Sequence, residues 1–483
     1  RGVAGLPGGG LVYQMPKGPQ ARALALARSV FCCAAALGGA PPALAQEAPA
    51  APATAVATIV YAGQLLAVPG RPPLVPGTLV LADGKVKEVR AGRPSATELG
   101  LPAEGTKTID LSSSFVMPGF IDLHVHLTMS PGERQIAFVT KPDAYFALVA
   151  ADAARKTLEA GFTTVRDLGS RGYSVFALRD AIRDGLLPGP KIVAAGAAIT
   201  PSGGHADING YREEVRRALP SPGVCNGPDD CRRAVREAVQ RGADVIKVTA
   251  TGGVLSNVNA GTGQQFTDEE MRAIADTAHA LGRKVTAHAH AKVGIEAALR
   301  AGFDSIEHSM WADEGTMRLF LKTGAWLIPT VYPITYVGDT REKLLRGPYR
   351  NAPPAVLDKL LELGRQPKDM TRLAHQMGVK IALGTDSGVS PNGENANEFV
   401  EYVNIGMTPM QALIAGTVDA ARAGGLEQVG SLEPGKAADL VAMPGNPLND
   451  IRAVLGVHFV PRPFSRWPLL RCRLSLSRPR IRS

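Results

Sequence analysis

No run of about 18 uncharged apolar residues, the length a membrane-spanning helix needs, occurs in the 483 residues; the longest candidate is Ser29 to Ala40. A multi-span membrane protein is thereby excluded. Acid is missing from both ends, since Arg1, Lys17, Arg22 and Arg28 precede the first carboxylate, Glu47, and seven arginines follow Val460 without one. Subtracting those four and seven from the 53 basic residues leaves 42 against 44 acidic ones, so the net charge of +9 does not describe the body of the chain. Nucleic acid is not an expected partner. With 45% hydrophobic side chains the chain buries a large core, as one big domain or two, and disorder is excluded as its main theme.

Met15 opens a basic stretch, followed by the uncharged SVFCCAAALGGA and by Ala43-Leu44-Ala45. This is the order of a secretory signal ending near Gln46 (15–46), with an apolar segment about half the length of a membrane anchor. Phe31 before Cys32 is too bulky for a lipoprotein cleavage site, so a periplasmic or secreted protein without stable membrane insertion is expected. Residues 1–14, upstream of Met15, are expected to be non-native, and 47–58 read as an Ala/Pro linker, with structure beginning at Ile59. Cysteine is scarce, at five residues, and Cys32 and Cys33 leave with the signal. Cys225 and Cys231 close the loop CNGPDDC; export favours a disulfide over two free thiols.

From Gly119 onward, short β-branched runs alternate with longer amphipathic stretches, as parallel strands do with crossover helices. Eight strands are expected, at GFIDLHVH, TTVRDLG, KIVAAG, VIKVTA, VTAHAH, DSIEHS, WLIPT and IALGTD. Helices are expected at Asp143 to Ala160, Asp229 to Arg241, Thr267 to Leu281 and Leu357 to Met377. The fold class is α/β: a (β/α)8 TIM barrel over 118–425 with a small β-sandwich domain built from both chain ends, 59–117 and 426–460. Asp83-Gly84 is a hairpin signal within the first of these pieces.

Functional groups of such a barrel collect at the C-terminal ends of its strands. His124 and His126 end the first strand on one face, Lys247 lies in the fourth, His288 and His290 end the fifth, His308 the sixth and Asp386 the eighth. H-x-H alone describes many ordinary strands; joined to a lysine and an aspartate at other strand ends, it points to a metal site. His279, His375 and His458 fall elsewhere and read as helix or surface residues. VTATGGVLS after Lys247 lacks the lysine-serine ending of a P-loop and reads as a flexible active-site loop. His205, in the long loop after the third strand, is either a substrate contact or a surface histidine; Tyr332 and Arg166 are weaker candidates for gripping a substrate carboxylate.

VMPGFIDLHVH, VIKVTATGG, VTAHAH, SIEHS and LGTDSG resemble, in order, the strand motifs of the amidohydrolase superfamily. The chain is most similar to its imidazolonepropionase-like group with Xaa-Pro dipeptidases and ochratoxin-hydrolysing amidases, over roughly 58–460. The resemblance implies two divalent ions, zinc by expectation: one on His124, His126 and Asp386, a second on His288 and His308, with Lys247 bridging them as a CO2-derived carbamate. A bare ammonium would be repelled there, whereas a carbamate is anionic; a lysine salt-bridged at the barrel mouth is the rival. Two ions about 3.5–4 Å apart bring a shared water to a pKa near 7, and the hydroxide attacks an amide carbonyl. Asp386 is assigned to shuttling the proton, and His290 to the oxyanion or substrate, with a further metal ligand as its alternative.

The expected function is hydrolysis of the amide bond of a dipeptide or N-acyl amino acid, by a metal-dependent amidohydrolase acting on a small carboxylate-bearing substrate. The alternatives are a one-metal hydrolase of cyclic C–N bonds, whose members lack the bridging lysine, and a non-catalytic scaffold. A homo-oligomer is implied by resemblance only. The pattern breaks at 461–483, where PRPFSRWPLLRCRLSLSRPRIRS replaces a final strand and reads as a shifted frame or a basic tail.

Overall fold

The computed structural model describes residues 57–460 except 133–135, 171, 220, 257–260 and 339, together with the backbone of 470–471. The signal segment 15–46, the linker up to residue 56 and the remainder of 461–483 lie outside the described residues. Four strands come first: β1 (Thr58–Leu65), β2 (Gly77–Ala82), β3 (Lys85–Ala91) and β4 (Lys107–Pro118). Asp83 and Gly84 both adopt left-handed backbone (φ 53° and 71°), the geometry that lets two residues join β2 to β3 without splaying them. The first described strand thus begins one residue before Ile59.

β4 runs almost directly into the barrel strands β5 (Phe120–Val125), β6 (Phe162–Asp167), β7 (Lys191–Ala194), β8 (Val245–Thr249), β9 (Lys284–Ala289), β10 (Ser305–His308) and β11 (Trp326–Ile328). β5, β6 and β7 pair in parallel, as do β8 to β11. Single parallel bridges close the ring: Ile199 to Val248, Leu327 to Ile381 and Val125 to Ser387. The eighth stave, 381–386, is therefore held by Leu327 on one side and by Leu123 and His124 on the other, rather than by a regular ladder. The chain forms a closed eight-stave α/β barrel with an added β domain.

Helices cover the ring, among them Asp143–Glu159, Pro228–Gln240, Asp268–Ala280 and Lys292–Arg300. Thr267 and Glu270 form a reciprocal cap at the start of Asp268–Ala280, satisfying N–H groups the helix itself cannot. The single helix expected over Leu357 to Met377 is in fact two, Pro354–Leu363 and Gln366–Met377. Gly364, at φ 45° and ψ −120°, cannot continue a right-handed helix, and Pro367 suits the first turn of the next. Pro354–Leu363 belongs with Tyr332–Val337 and Arg341–Arg346 to a helical insertion after β11.

The chain ends meet through β12 (Leu440–Met443), which pairs antiparallel with β4, then β13 (Phe459–Val460) and β14 (Leu470–Arg471). Hydrogen bonds order the β domain as one seven-stranded sheet, β14-β13-β12-β4-β1-β2-β3, over an apolar core including Val60, Ala62, Leu79, Leu81, Leu111 and Leu440. The basic tail, expected to leave the last strand missing, supplies β14, beyond Pro461, Pro463 and Pro468. No helix among the described residues is long and apolar enough to cross a membrane.

Gly384 shows how tightly the ring closes: a Cβ there would lie 2.3 Å from Ile328 Cγ2 and 2.9 Å from His124 Cβ. Gly384→Ala should cost about 2 kcal/mol in urea unfolding through overpacking at the last stave. A change below about 0.5 kcal/mol would show that stave to be loosely held.

Candidate metal centre

Alternation along β5 turns His124 and His126 to the same side, and both reach Asp386 Oδ1, at 3.4 and 3.2 Å from their Nε2 atoms. Lys247, 4% exposed, brings Nζ within 3.5 Å of His124 Nε2. Ligand atoms of His124, His308 and Asp386 lie within 4.8 Å of one another, and so do those of His288, His290 and His308. His308 belongs to both groups, which makes one continuous centre. His290 stands with His288 and His308, so the cluster includes it as a possible donor as well as a neighbour. His205 also joins, its ring stacked 4.2 Å from that of His288.

The orientation of these rings is set from behind. His124 Nδ1 donates to Glu307 Oε2 (2.8 Å) and His126 Nδ1 to the Gly169 carbonyl (3.1 Å). Neither acceptor has a proton to give, so both rings carry hydrogen on Nδ1 and present the Nε2 lone pair to the centre. His308 Nδ1 lies 2.7 Å from Thr330 Oγ1, an arrangement that frees its Nε2 in the same way. His288 Nε2, His290 Nδ1 and His205 Nδ1 are buried and meet no hydrogen-bond partner among the described residues. Buried orphan nitrogens are costly, and a bound ion or a bound substrate would satisfy them. The imidazole and carboxylate set suits zinc and other first-row ions.

Electrostatics point the same way. Burial, then the Lys247 charge, lowers His124 to about 4; burial and Lys247 lower His205 to about 3, and burial and His205 lower His290 to about 3. Burial likewise drives His288 and His308 well below the usual imidazole value. Neutral imidazoles are the metal-binding form. Burial lowers Lys247 to about 8, which leaves a share of free amine near neutrality. For Asp386, burial alone would raise the pKa, but the surrounding histidines, His124 foremost, hold it well below the carboxylate range.

Four of the five non-glycine residues with left-handed backbone among the described residues stand at these strand ends: His308 (φ 70°), Ser309 (58°), Thr330 (51°) and Asp386 (52°). Such backbone persists only where its surroundings over-determine it, and it concentrates at functional sites. Gly253 is glycine for a steric reason, since a Cβ there would lie 2.1 Å from the His205 ring. The loop expected to be flexible is tied at Gly253 and Ser256, whose carbonyls accept from Lys359 Nζ at 2.9 and 2.6 Å. Cys225 and Cys231 form a disulfide, and Cys225 N–H donates to the Thr200 carbonyl, five residues before His205.

The remaining predicted contacts lie elsewhere. Arg166 is 2% exposed inside the barrel, where its guanidinium donates to Glu307 Oε1 (2.8 Å) and the Leu123 carbonyl (2.6 Å). It is a buried counter-charge, not a grip for a substrate carboxylate. The Tyr332 hydroxyl donates to Glu394 Oε2 (2.7 Å), a neighbour that would repel an anionic substrate. His279 pairs with Asp304 at 2.9 Å, and His375 lies in the helix Gln366–Met377, both away from the centre.

Sequence reasoning missed Glu307, although an acid inside the apolar strand SIEH was a visible signal. It missed Asp122, whose buried carboxylate accepts from the His124 and Thr385 N–H groups, each at 3.0 Å. It also missed Trp311, 5.8 Å from the His290 ring, and the apolar cluster of Val254, Met310, Ile334, Leu360 and Val389 beside it.

Residues 115–460 match the model of the amidohydrolase family. The chain belongs to that family. This amidohydrolase is 32% identical over 417 residues to the ochratoxinase of Aspergillus niger, covering 82% of each chain. It resembles a crystal structure of a Xaa-Pro dipeptidase with methionine bound in the active site, at 37% identity and a TM-score of 0.78, over 84% of this chain and 98% of that one. Imidazolonepropionase of Mesorhizobium japonicum is 25% identical over 394 residues, 75% of this chain and 85% of its own. The chain is therefore a hydrolase with an amidohydrolase fold.

In metal-free amidohydrolase, His124, His205 and His290 have folded pKa values of about 3 to 4, below the unfolded value of 6.5. Protons then favour the unfolded chain, so stability is complete above about pH 6.5 and lost as pH falls toward 3 to 4. His126 runs the other way: burial would lower it, but Asp386 raises it, a partial offset. Urea midpoints of the metal-free protein should fall steadily from pH 7 to pH 4; a flat profile would contradict the burial of neutral imidazoles.

Proposed function

We propose that this amidohydrolase is a two-metal amidase that releases a C-terminal amino acid from a dipeptide or an N-acyl amino acid. One observation carries the reading: Lys247 Nζ is buried 3.5 Å from His124 Nε2, within a cluster whose other members are further imidazoles and Asp386. Among the described residues Lys247 makes no salt bridge; a carbamate on Nζ would be anionic, and with it His124, His126 and Asp386 would hold one ion and His288 and His308 the second. Cyclic C–N hydrolases with one ion need no such lysine. The two ions, zinc in this reading, acidify a water and polarise the scissile carbonyl when bound.

The chain's own residues do the rest. Asp386, ionised at neutral pH, takes the proton from the attacking water and returns it to the leaving nitrogen. His290, neutral, offers a ring N–H to the oxygen on which charge gathers. His205 touches substrate from the wall that the disulfide braces. With two dications bound, a carbamate and Asp386 would leave the site net positive, which would favour a carboxylate-bearing substrate. Relatives named for Xaa-Pro dipeptides and for ochratoxin support that class. The disulfide supports the exported, periplasmic or secreted location.

Protein supplied with zinc and bicarbonate should hold about two ions per chain and hydrolyse members of N-acyl-phenylalanine and Xaa-Pro panels, with loss on chelation. Lys247→Ala should hold at most one ion and lose about 100-fold or more in kcat. One ion per wild-type chain, with Lys247→Ala fully active, would defeat the two-metal reading.

A further inference from the structure

The geometry points to Glu398 as a positioning residue that fixes the ring of His308 by acting through Thr330. Glu398 lies in the helix Asn397–Asn404, beyond the eighth stave, and is fully buried. Its two carboxylate oxygens accept from two successive backbone N–H groups, Val331 to Oε1 and Tyr332 to Oε2, each at 2.7 Å. These are the residues that follow Thr330.

Thr330 has φ 51°, a conformation a β-branched residue adopts only under constraint. The two-oxygen grip supplies that constraint, because it fixes the peptide planes just after the strained residue. The strained turn then sets Thr330 Oγ1 at 2.7 Å from His308 Nδ1. Two other rings take their orientation directly from fixed groups, His124 from Glu307 and His126 from the Gly169 carbonyl. His308 takes its own from a hydroxyl on a strained turn, so its support must come from whatever holds that turn. Burial pushes the Glu398 carboxyl up to about 8; the two N–H donors oppose the rise and favour the ionised form.

A merely structural carboxylate would cap the short helix Tyr332–Val337 and affect stability alone. A positioning role also predicts a loss of metal retention. The inference rests on the reading of His308 as a metal ligand, and the test separates the two. Full-length wild type, Glu398→Gln, Thr330→Val, Thr330→Ser and the Gln/Val double variant are loaded with zinc and challenged with a competing chelator. Zinc per chain, kcat, KM and the metal-free melting temperature are then measured.

Glu398→Gln keeps size but loses one acceptor, and Thr330→Val removes the hydroxyl. Each should retain zinc about tenfold less tightly and lose about tenfold in kcat, with KM within about twofold. Thr330→Ser should restore both, and the double variant should be no worse than Thr330→Val, since both act on one link. Should Glu398→Gln not fold, Glu398→Asp, which keeps the carboxyl group but draws it back, takes its place. A wild type with two ions whose variants match it in zinc retention, or a double variant whose losses multiply, overturns the inference alone. A wild type that retains no zinc overturns the reading of the site and the inference with it.

Discussion

An amine cannot stay charged and buried beside imidazoles without cost, and Lys247 occupies that position. In the proposed reading, chemical modification of the amine resolves the conflict. Burial lowers its pKa toward neutrality, His124, His288 and His308 are held neutral, and Asp386 stays ionised. A free amine of this kind can accept CO2 and become the anion that a pair of dications needs. In the proposed reading, the same burial that makes the ammonium unfavourable would make the modified form useful.

The barrel meets it with supports outside the centre. Glu307 orients His124 and is itself offset by Arg166, so a carboxylate and a guanidinium are stored together beneath the histidines. Asp122 ties the backbone of β5 to the eighth stave, which lacks a regular ladder of its own. Left-handed backbone at His308, Thr330 and Asp386 bends three strand ends inward, and buried carboxylates hold two of these bends, Asp122 beside Asp386 and Glu398 beside Thr330. Precision at the centre therefore depends on groups that stand behind the metal-facing atoms.

Much of this was legible in the sequence because it follows from period and composition. Alternation along β5 and β9 placed His124 with His126 and His288 with His290 on shared faces, and the strand and helix rhythm gave the barrel. What was not legible depends on partners far apart in the chain. Arg166 reads as a free cation until Glu307, 141 residues later, is seen to hold it. The break at Gly364 is a matter of one residue's backbone angles, which apolar periodicity does not register. The apolar cluster around Val254 and Leu360 joins loops after separate strands, and only closure of the ring brings them together.

A crystal structure of protein grown with zinc and bicarbonate, with anomalous scattering measured at the zinc edge, tests the central claim most directly. The account predicts two anomalous peaks bridged by a carboxylated Lys247 Nζ, one beside His124, His126 and Asp386 and the other beside His288 and His308. A single peak with an unmodified Lys247 amine would contradict it.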